Sequence, residues 1–264
     1  MDESENTSKP IVPVKFDLDS NFTFLCEKDI ACFTKCCRNI SIMLTPYDII
    51  RIKKTLGLAS DEFLFLYTKP GLIAGTELPV PVLKIMDENS GACPFLTDTG
   101  CSIYEVRPLT CRYYPLGAGI FHNRDIASDE RFFAMIKEPH CLGHSLGREW
   151  VVKEWLEDQG INQYEDANAG WIDLILRRKS LGPFVDIPEK TLQMFFMASY
   201  NVDSFRRFVF ESRFLDIYVV SEEIKAKIAE DDMATLRFGL EWLEATLLGL
   251  GNFSIRQCVT DVVD

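Results

Sequence analysis

The chain has 264 residues, of which 47% are hydrophobic and 26% are charged, an ordinary composition for one large folded domain or two small ones. Its formal net charge of −12 would repel a nucleic-acid duplex, so we expect no nucleic-acid partner. The sequence has no run of 18 apolar residues, and we therefore expect no membrane span. The first ten residues are polar and lack the features of a secretory signal, which predicts a cytoplasmic protein.

The order of residue patterns along the chain predicts three regions. Residues 1–21 are polar and contain spaced prolines, which is typical of a mobile arm or an edge segment. Residues 22–160 hold short apolar runs, turns and most of the cysteines, whereas residues 161–264 hold one helical pattern after another. We therefore predict an α+β fold, in which a Cys-rich, partly irregular metal-binding domain at 22–160 precedes a mostly α-helical C-terminal region at 161–264.

Individual elements follow from local signals. Thr45 and Pro46 predict a helix start, with Thr45 as the N-cap residue, and Gly57 predicts the end of that helix. Ser60 is predicted to cap a second helix. Residues 134–147 show no regular period and are predicted to be irregular. The other predicted strands are 21–25, 79–86 and 113–121, and the other predicted helices are 149–159, 167–179, 189–200, 204–214, 221–231 and 232–248.

The cysteines are concentrated in the first half of the chain. Eight of the nine lie between Cys26 and Cys141, and only Cys258 stands apart. In a reducing compartment, clustered cysteines are better interpreted as metal ligands or redox groups than as disulfides, and their odd number disfavours complete pairing. The predicted metal ligands are Cys26, Cys32, Cys36, Cys37, Cys93, Cys101, Cys111 and Cys141.

The first cysteine cluster leaves the number of metal ions open. The spacing Cys32-x3-Cys36 suits a metal-binding turn. Cys36 and Cys37 are adjacent, and in an extended chain their side chains would point in opposite directions. The pair therefore fits two sites that share one loop, a multinuclear cluster, or one ligand beside a buried or redox-active thiol.

The central cysteines lack the spacing of a simple zinc knuckle. Cys93, Cys101 and Cys111 are separated by long gaps, so we expect them to complete a site together with cysteines of the first cluster. Turns at 98–100 and at 107–108 would let the chain fold back in this way.

Basic residues and histidines accompany the cysteines. A site built from several thiolates carries negative charge, and Arg107 and Arg112 are predicted to lie beside the bound cofactor and to offset that charge. His140 and His144 flank Cys141 and offer alternative nitrogen ligands, although a hydrogen-bonded surface role is commoner for such residues.

The motifs around these cysteines resemble the YkgJ-type cysteine cluster proteins, a family described as chelating zinc or iron. The stretch LTPYDI at 44–49 resembles the helix start of that family, and CPFLTDTGCSIYEVRPLTCRYYPL at 93–116 resembles its central motif. A C-x-G-x-x-x-G segment that begins at Cys141 resembles a later motif, so the resemblance covers about residues 22–160. The first cluster departs from the family, because C-x5-C-x3-C-C replaces the usual C-x2-C-x2-C-C.

The resemblance implies a protein that binds zinc or iron, the latter including an iron–sulfur cluster, in a structural or redox-sensing role. Some related proteins methylate flagellin lysines, so a protein-modifying enzyme of the methyltransferase type is one alternative. A binding module whose acidic helices meet a protein partner is another. The sequence names no catalytic residue, and it contains no nucleotide-binding or hydrolase motif.

Overall fold

The computed structural model describes residues 11–85, 91–123, 128–180 and 187–248. The strands are β1 Ile11–Phe16, β2 Asn21–Phe24, β3 Thr68–Leu72, β4 Pro79–Leu83, β5 Leu96–Thr97, β6 Gly100–Cys101, β7 Leu116–Asn123, β8 Ser128–Ile136 and β9 Arg148–Val151. The helices are α1 Pro46–Leu56, α2 Ser60–Tyr67, α3 Leu109–Tyr113, α4 Val152–Asp158, α5 Ile161–Ser180, α6 Glu189–Tyr200, α7 Val202–Glu211, α8 Phe214–Ile217, α9 Glu222–Glu230 and α10 Asp232–Leu248. Short 3-10 turns lie at Lys35–Cys37, Tyr104–Val106 and Gly143–Ser145.

The fold is mixed α+β, which confirms the predicted class. Strands β1, β8 and β7 form a three-stranded antiparallel sheet in that order, and β2–β9, β3–β4 and β5–β6 form separate two-stranded sheets. The elements described from α5 onwards are all helices, as predicted for the C-terminal region. Among the described residues, no helix combines the length and the apolar character needed to cross a membrane.

The chain groups into two compact units. The first contains the described parts of Met1–Ile42 and Lys84–Glu165, and the second contains those of Met43–Leu83 and Asp166–Asp264. Cys26, Cys32, Cys36 and Cys37 come from the earlier segment of the first unit, whereas the other described cysteines come from its later segment. The division predicted from the sequence stays a prediction, because it concerns which parts of the chain fold independently. Its regions are 1–21, 22–160 and 161–264.

The first unit has an aromatic core beside the first cysteine. The ring of Phe24 lies edge to face with the rings of Trp155 and Tyr114, at centroid distances of 5.7 and 5.8 Å. The indole of Trp155 also donates a hydrogen bond of 3.3 Å to the carbonyl of Tyr113. Phe24 is only 2% exposed, and burial of such aromatic surface is among the strongest stabilising terms in a fold. This packing fixes the strand end from which the chain continues to Cys26.

The second unit begins with a well-capped helix. The side chain of Thr45 accepts the N–H of Asp48, and the Asp48 carboxylate accepts the N–H of Thr45, which together form a capping box at the start of α1. Gly57 ends the helix with φ 69°, a left-handed conformation that favours glycine. Both predicted ends of α1 are confirmed. The core of this unit is aromatic, with Phe205 and Trp242 at a centroid distance of 5.6 Å.

Several local predictions were wrong, and long-range pairing explains most of them. Ser60 is the first residue of α2, not its cap, and its hydroxyl donates to Asp203 at 2.7 Å. Part of the segment predicted to be irregular belongs to β8, which pairs on both sides with β1 and β7. The predicted strand 113–121 begins only at Leu116, because Tyr113 ends α3. The first residues of the predicted helix 149–159 form β9 by pairing with β2.

Candidate metal centre

The first group of cysteines lies where the end of β2 meets the segment that contains Cys141. The N–H of Leu25 donates to the carbonyl of Gly143 at 3.1 Å. The N–H of Leu142 donates to the sulfur of Cys32 at 3.3 Å. These two bonds bring the segment around Cys141 against the loop that carries Cys26 and Cys32, although Cys26 and Cys141 are 115 positions apart in the sequence.

The electrostatics of Cys26 agree with this grouping. The pKa of its thiol is raised to about 11 by desolvation under neighbouring atoms and by the negative charges that Cys36, Cys141 and Cys32 would carry as thiolates. Because Cys26 itself is an exposed residue, the charge effect is the better guide to which thiols surround it. Cys32, Cys36 and Cys141 therefore lie within electrostatic range of Cys26.

Cys36 and its surroundings include two residues that the sequence reasoning missed. A hydrogen bond to Cys37, followed by burial, raises the pKa of the Cys36 thiol, and the carboxylate of Glu138 adds to the rise. The pKa of the Tyr114 hydroxyl is raised first by burial and then by the nearby Cys141 thiol, with further contributions from the charges of Glu138 and Cys36. The tyrosine stands inside the central motif, which was a usable signal, whereas nothing in the local sequence marked Glu138.

The second group of cysteines lies where the 3-10 turn Lys35–Cys37 meets the start of the central motif. The N–H of Cys93 donates to the carbonyl of Cys37 at 2.9 Å, and the N–H of Asn39 donates to the carbonyl of Gly91 at 2.8 Å. Farther along, the β5–β6 hairpin pairs Leu96 with Cys101. These backbone contacts place Cys93 beside the first cluster, and the hairpin returns Cys101 toward Cys93, with which it interacts electrostatically.

Backbone N–H groups point at sulfur in this second group. Burial raises the pKa of both Cys93 and Cys101. The backbone N–H of Phe95 acts to lower the pKa of Cys93, and the backbone N–H of Ile103 acts to lower that of Cys101. In both cases the donor is two residues beyond the cysteine. Such bonds stabilise the thiolate, which is the form that binds a metal ion. The arrangement of these two turns therefore favours ligation.

The two arginines predicted to lie beside the cofactor have different surroundings. The positive charge of Arg107 acts to lower the pKa of Cys101 and interacts with Cys111. Arg107 also donates to the side chain of Gln159 at 2.5 Å. Arg112 is 7% exposed and donates to the carbonyl of Gln159 at 2.7 Å and to the hydroxyl of Tyr164 at 3.1 Å. Arg107 thus lies within electrostatic range of Cys101 and Cys111, and the predicted positions of both arginines beside a bound cofactor stay predictions.

The histidines are weaker ligand candidates than the thiols. His140 Nε2 lies 3.2 Å from the Glu138 carboxylate, which competes with any metal for that nitrogen. Burial lowers the pKa of His144, whose ring packs against Phe24 at a centroid distance of 5.4 Å. The side chain of His122 lies outside the described residues, and so does Cys258.

The donor chemistry fits zinc or iron, but the thiols do not form a closed coordination shell as they stand. All cysteines that the structure describes are free, and thiolate sulfur is a preferred ligand of both metals. Within the described residues, however, no group of three or more His, Cys, Asp or Glu side chains is arranged to hold a metal ion. The segments are thus brought together by their backbones, and rotation of the cysteine side chains between staggered rotamers would be needed to complete ligation.

Free thiols gathered in one Cys-rich α+β unit are typical of domains that bind zinc or iron through thiolates. Residues 25–141 match the CxxCxxCC family, whose description is "Putative zinc- or iron-chelating domain". The match confirms the resemblance seen in the motifs for this part of the chain, and the matched range includes every cysteine from Cys26 to Cys141. Comparison with curated proteins and with solved structures gave no match.

Proposed function

We propose that this protein is a cytoplasmic metalloprotein that holds zinc or an iron–sulfur cluster through its clustered thiolates, and that the metal stabilises the fold of the first unit. The observation that carries the proposal is the set of backbone N–H groups aimed at the sulfurs of Cys32, Cys93 and Cys101. Donors placed in this way favour thiolate over thiol and are typical of the groups that surround metal ligands.

The raised pKa values explain why a cation would matter here. Burial and neighbouring thiols keep Cys26 and Cys36 protonated when no cation is present. A bound cation reverses this balance, so binding releases protons and its free energy is added to that of folding. Because the thiols come from separate chain segments, the same metal would link those segments together.

The exposure of Cys26 supports a further role if the bound group contains iron and sulfide. An exposed ligand leaves one side of such a cluster open to small oxidants. Loss of that ligand on oxidation would weaken the link between segments, which is the basis of a redox-sensing role.

Anaerobic purification followed by elemental analysis and absorption spectroscopy tests the proposal. We expect zinc or iron bound to the purified chain, with broad visible absorption and acid-labile sulfide only in the iron case. Removal of the metal by a chelator should lower the melting temperature. A chain that is folded, metal-free and unaffected by added zinc or reconstitution with iron and sulfide would overturn it.

A further inference from the structure

Four large apolar side chains of the second unit are exposed between the end of α7 and the start of α9. They are Phe210, Ile217, Val219 and Ile224, and between 38% and 55% of each residue is exposed. A single exposed apolar residue is ordinary on a protein surface, whereas several that lie together mark an interaction site. Whether these four lie together therefore decides their meaning.

Two sets of polar contacts show that α7 and α9 run antiparallel. Arg206 of α7 donates to the carbonyl of Ile228 in α9 at 2.7 Å. One turn earlier in α7, Asp203 shares both of its cationic partners, Lys53 and Arg206, with Asp232, which follows α9. Later positions in α7 therefore lie beside earlier positions in α9.

The antiparallel arrangement brings the exposed side chains to one end of this helix pair. Phe210 lies one turn beyond the arginine of that bond, and Ile224 lies one turn before its isoleucine, so each is on the same helix face as the bonded residue. Ile217 and Val219 belong to the connection between the two helices at that end. The four residues form one surface, which we call the α7–α9 patch.

The aromatic core of the second unit supports the α7–α9 patch from below. Phe214 is 2% exposed, and its ring centroid lies 4.7 Å from that of Tyr218 and 5.6 Å from that of Phe208. Ile217 and Val219 flank Tyr218 in the sequence, so this packing holds their backbone in place. A surface that is fixed before binding loses little conformational freedom when a partner covers it.

Carboxylates are in excess around the α7–α9 patch. Residues 210–231 include six acidic residues and three basic ones. The side chains of Glu222 and Glu223 are 89% and 77% exposed, and they pair with Lys225 and Lys227. Because water and salt screen such surface pairs, these carboxylates stay available to a cationic partner.

The occupant that fits this surface is a helix with basic residues. Among the described residues from 187 to 248 every element is a helix, so this part offers no strand edge to an extended peptide. We infer that the α7–α9 patch binds an amphipathic helix of a protein partner, whose apolar face covers the patch and whose basic residues meet the surrounding carboxylates. The inference goes beyond the proposed metal binding and holds whether or not the first unit carries a metal.

Charge disfavours two other occupants of the α7–α9 patch. A second copy of this chain would bring the same acidic surroundings against themselves, and like charges that face each other oppose association. A membrane surface with anionic lipids would be repelled by the same carboxylates. A basic amphipathic helix gains from both the apolar area and the charge.

Binding of a synthetic peptide to the full-length chain tests the inference. The peptide carries leucines along one helix face and lysines along the other, and fluorescence anisotropy measures its affinity. Ile217→Ser and Ile224→Ser should each weaken binding about tenfold, as expected for residues at the centre of an interface. Leu18→Ser is the matched control, because Leu18 is 47% exposed but belongs to the first unit. Equal affinities of all four proteins, or no binding to wild type, would overturn the inference.

The charges are tested without changing an apolar residue. Glu222→Gln/Glu223→Gln should weaken binding of the lysine peptide and reduce its dependence on salt. The control Glu149→Gln/Glu154→Gln removes two exposed carboxylates of the first unit and should bind as wild type does. A peptide with the same leucines but with glutamates in place of lysines should bind wild type about tenfold more weakly. This comparison needs no variant, and equal binding of the two peptides would overturn the inference.

Three further measurements detect the other occupants. A wild-type dimer that Ile217→Ser converts to monomer in sedimentation would assign the α7–α9 patch to a second copy. Binding to vesicles of phosphatidylcholine and phosphatidylserine that the same variant abolishes would assign it to a membrane. Peptide binding that appears only after deletion of residues 249–264 would assign it to the chain's own end. Each of these results would overturn the inference, and a full-length monomer that binds the lysine peptide but not the vesicles supports it.

Discussion

The guanidinium of Arg112 lies over the ring of Tyr164, with its carbon 4.3 Å from the ring centroid, and it also donates to the Tyr164 hydroxyl. The remaining donors bind the carbonyls of Arg107, Gln159 and Glu105, at 3.1, 2.7 and 2.5 Å. Because these carbonyls would lose a charged donor in a buried place, Arg112→Ala should lower the free energy of unfolding by about 3 kcal/mol. Denaturant unfolding of metal-replete protein measures this change.

Arg148 provides the control for that variant. Its guanidinium lies 3.4 Å from the centroid of the Trp150 ring, but the residue is exposed. Loss of one exposed cation–π contact in Arg148→Ala should cost only about 0.5–1 kcal/mol. Equal destabilisation by the two changes would show that the hydrogen bonds of Arg112 add nothing to the fold.

Arg107 is expected to act on metal retention. Its charge lies close to Cys101 and Cys111, which become anionic when they bind metal. Removing it in Arg107→Ala should weaken metal binding by about tenfold, the usual cost of altering groups that surround the ligands. The measurement is the metal retained after competition with a chelator of known affinity. Arg107→Lys, which keeps the charge, should retain more metal than Arg107→Ala. Equal metal retention in wild type and both variants would show that Arg107 has no role in metal binding.

Local chemistry in the sequence predicted the parts of the fold that depend on neighbouring residues. Thr45 and Asp48, three positions apart, form the capping box, so the start of α1 could be predicted from this short sequence motif. The glycines of the C-x-G-x-x-x-G motif were also visible. The structural reason for these glycines could not be predicted from the motif. Gly143 is required because Leu25, which lies far away in the sequence, approaches it closely.

Elements that form by long-range pairing escaped prediction for the same reason. β9 looks helical in isolation and becomes a strand only because Trp150 pairs with Phe22 of β2. The cysteines could be assigned as ligands from residue type and clustering alone. How Cys141 and Cys93 approach the first cluster depends on the backbone bonds from Leu25 to Gly143 and from Cys93 to Cys37, and so the sequence left several arrangements open.

The metal-linked cysteines should affect stability far more than an isolated one. Cys111→Ser removes a predicted ligand in the densest motif, and it should lower the melting temperature of metal-replete protein by several degrees, because a thiolate–metal bond contributes directly to folding. Cys258→Ser, at the lone cysteine outside the described residues, is the control and should leave the melting temperature unchanged. Chelator treatment should bring wild type close to Cys111→Ser. Identical melting curves for the two variants would contradict a stabilising metal.

The second unit contains a partly buried ion network that gives a prediction independent of metal. Lys53 Nζ lies 2.8 Å from the carboxylates of both Asp203 and Asp232, and the Lys53 side chain is 7% exposed. Arg206 bridges the same two carboxylates at 2.9 and 2.6 Å. Burial acts to raise the pKa of Asp203, but hydrogen bonds from Lys53 and Ser60 outweigh it and hold that pKa well below its ordinary value.

The sign of the pH dependence follows from that lowered pKa. A carboxyl group with a lowered pKa in the folded state stabilises the fold at pH values above its unfolded pKa of about 3.9, and this contribution is lost as the pH falls through the folded-state value. Asp203→Asn should therefore be less stable than wild type by about 3 kcal/mol at pH 6, since it leaves Lys53 with one carboxylate fewer. The difference in unfolding free energy between the two proteins should shrink below about pH 4.

Denaturant unfolding of both proteins at several pH values between 3 and 6 checks this expectation. Loss of metal in acid lowers the unfolding free energy of both proteins alike, so it does not change the difference between them. Glu223→Gln is the matched control, because Glu223 pairs with Lys227 at 2.7 Å on an exposed helix surface. Exposed pairs are screened by water and salt, so this variant should unfold like wild type at every pH. A difference between Asp203→Asn and wild type that stays constant from pH 6 to pH 3 would mean that the network stabilises α1 and α7 through packing and hydrogen-bond geometry alone. The charge of Asp203 would then contribute nothing.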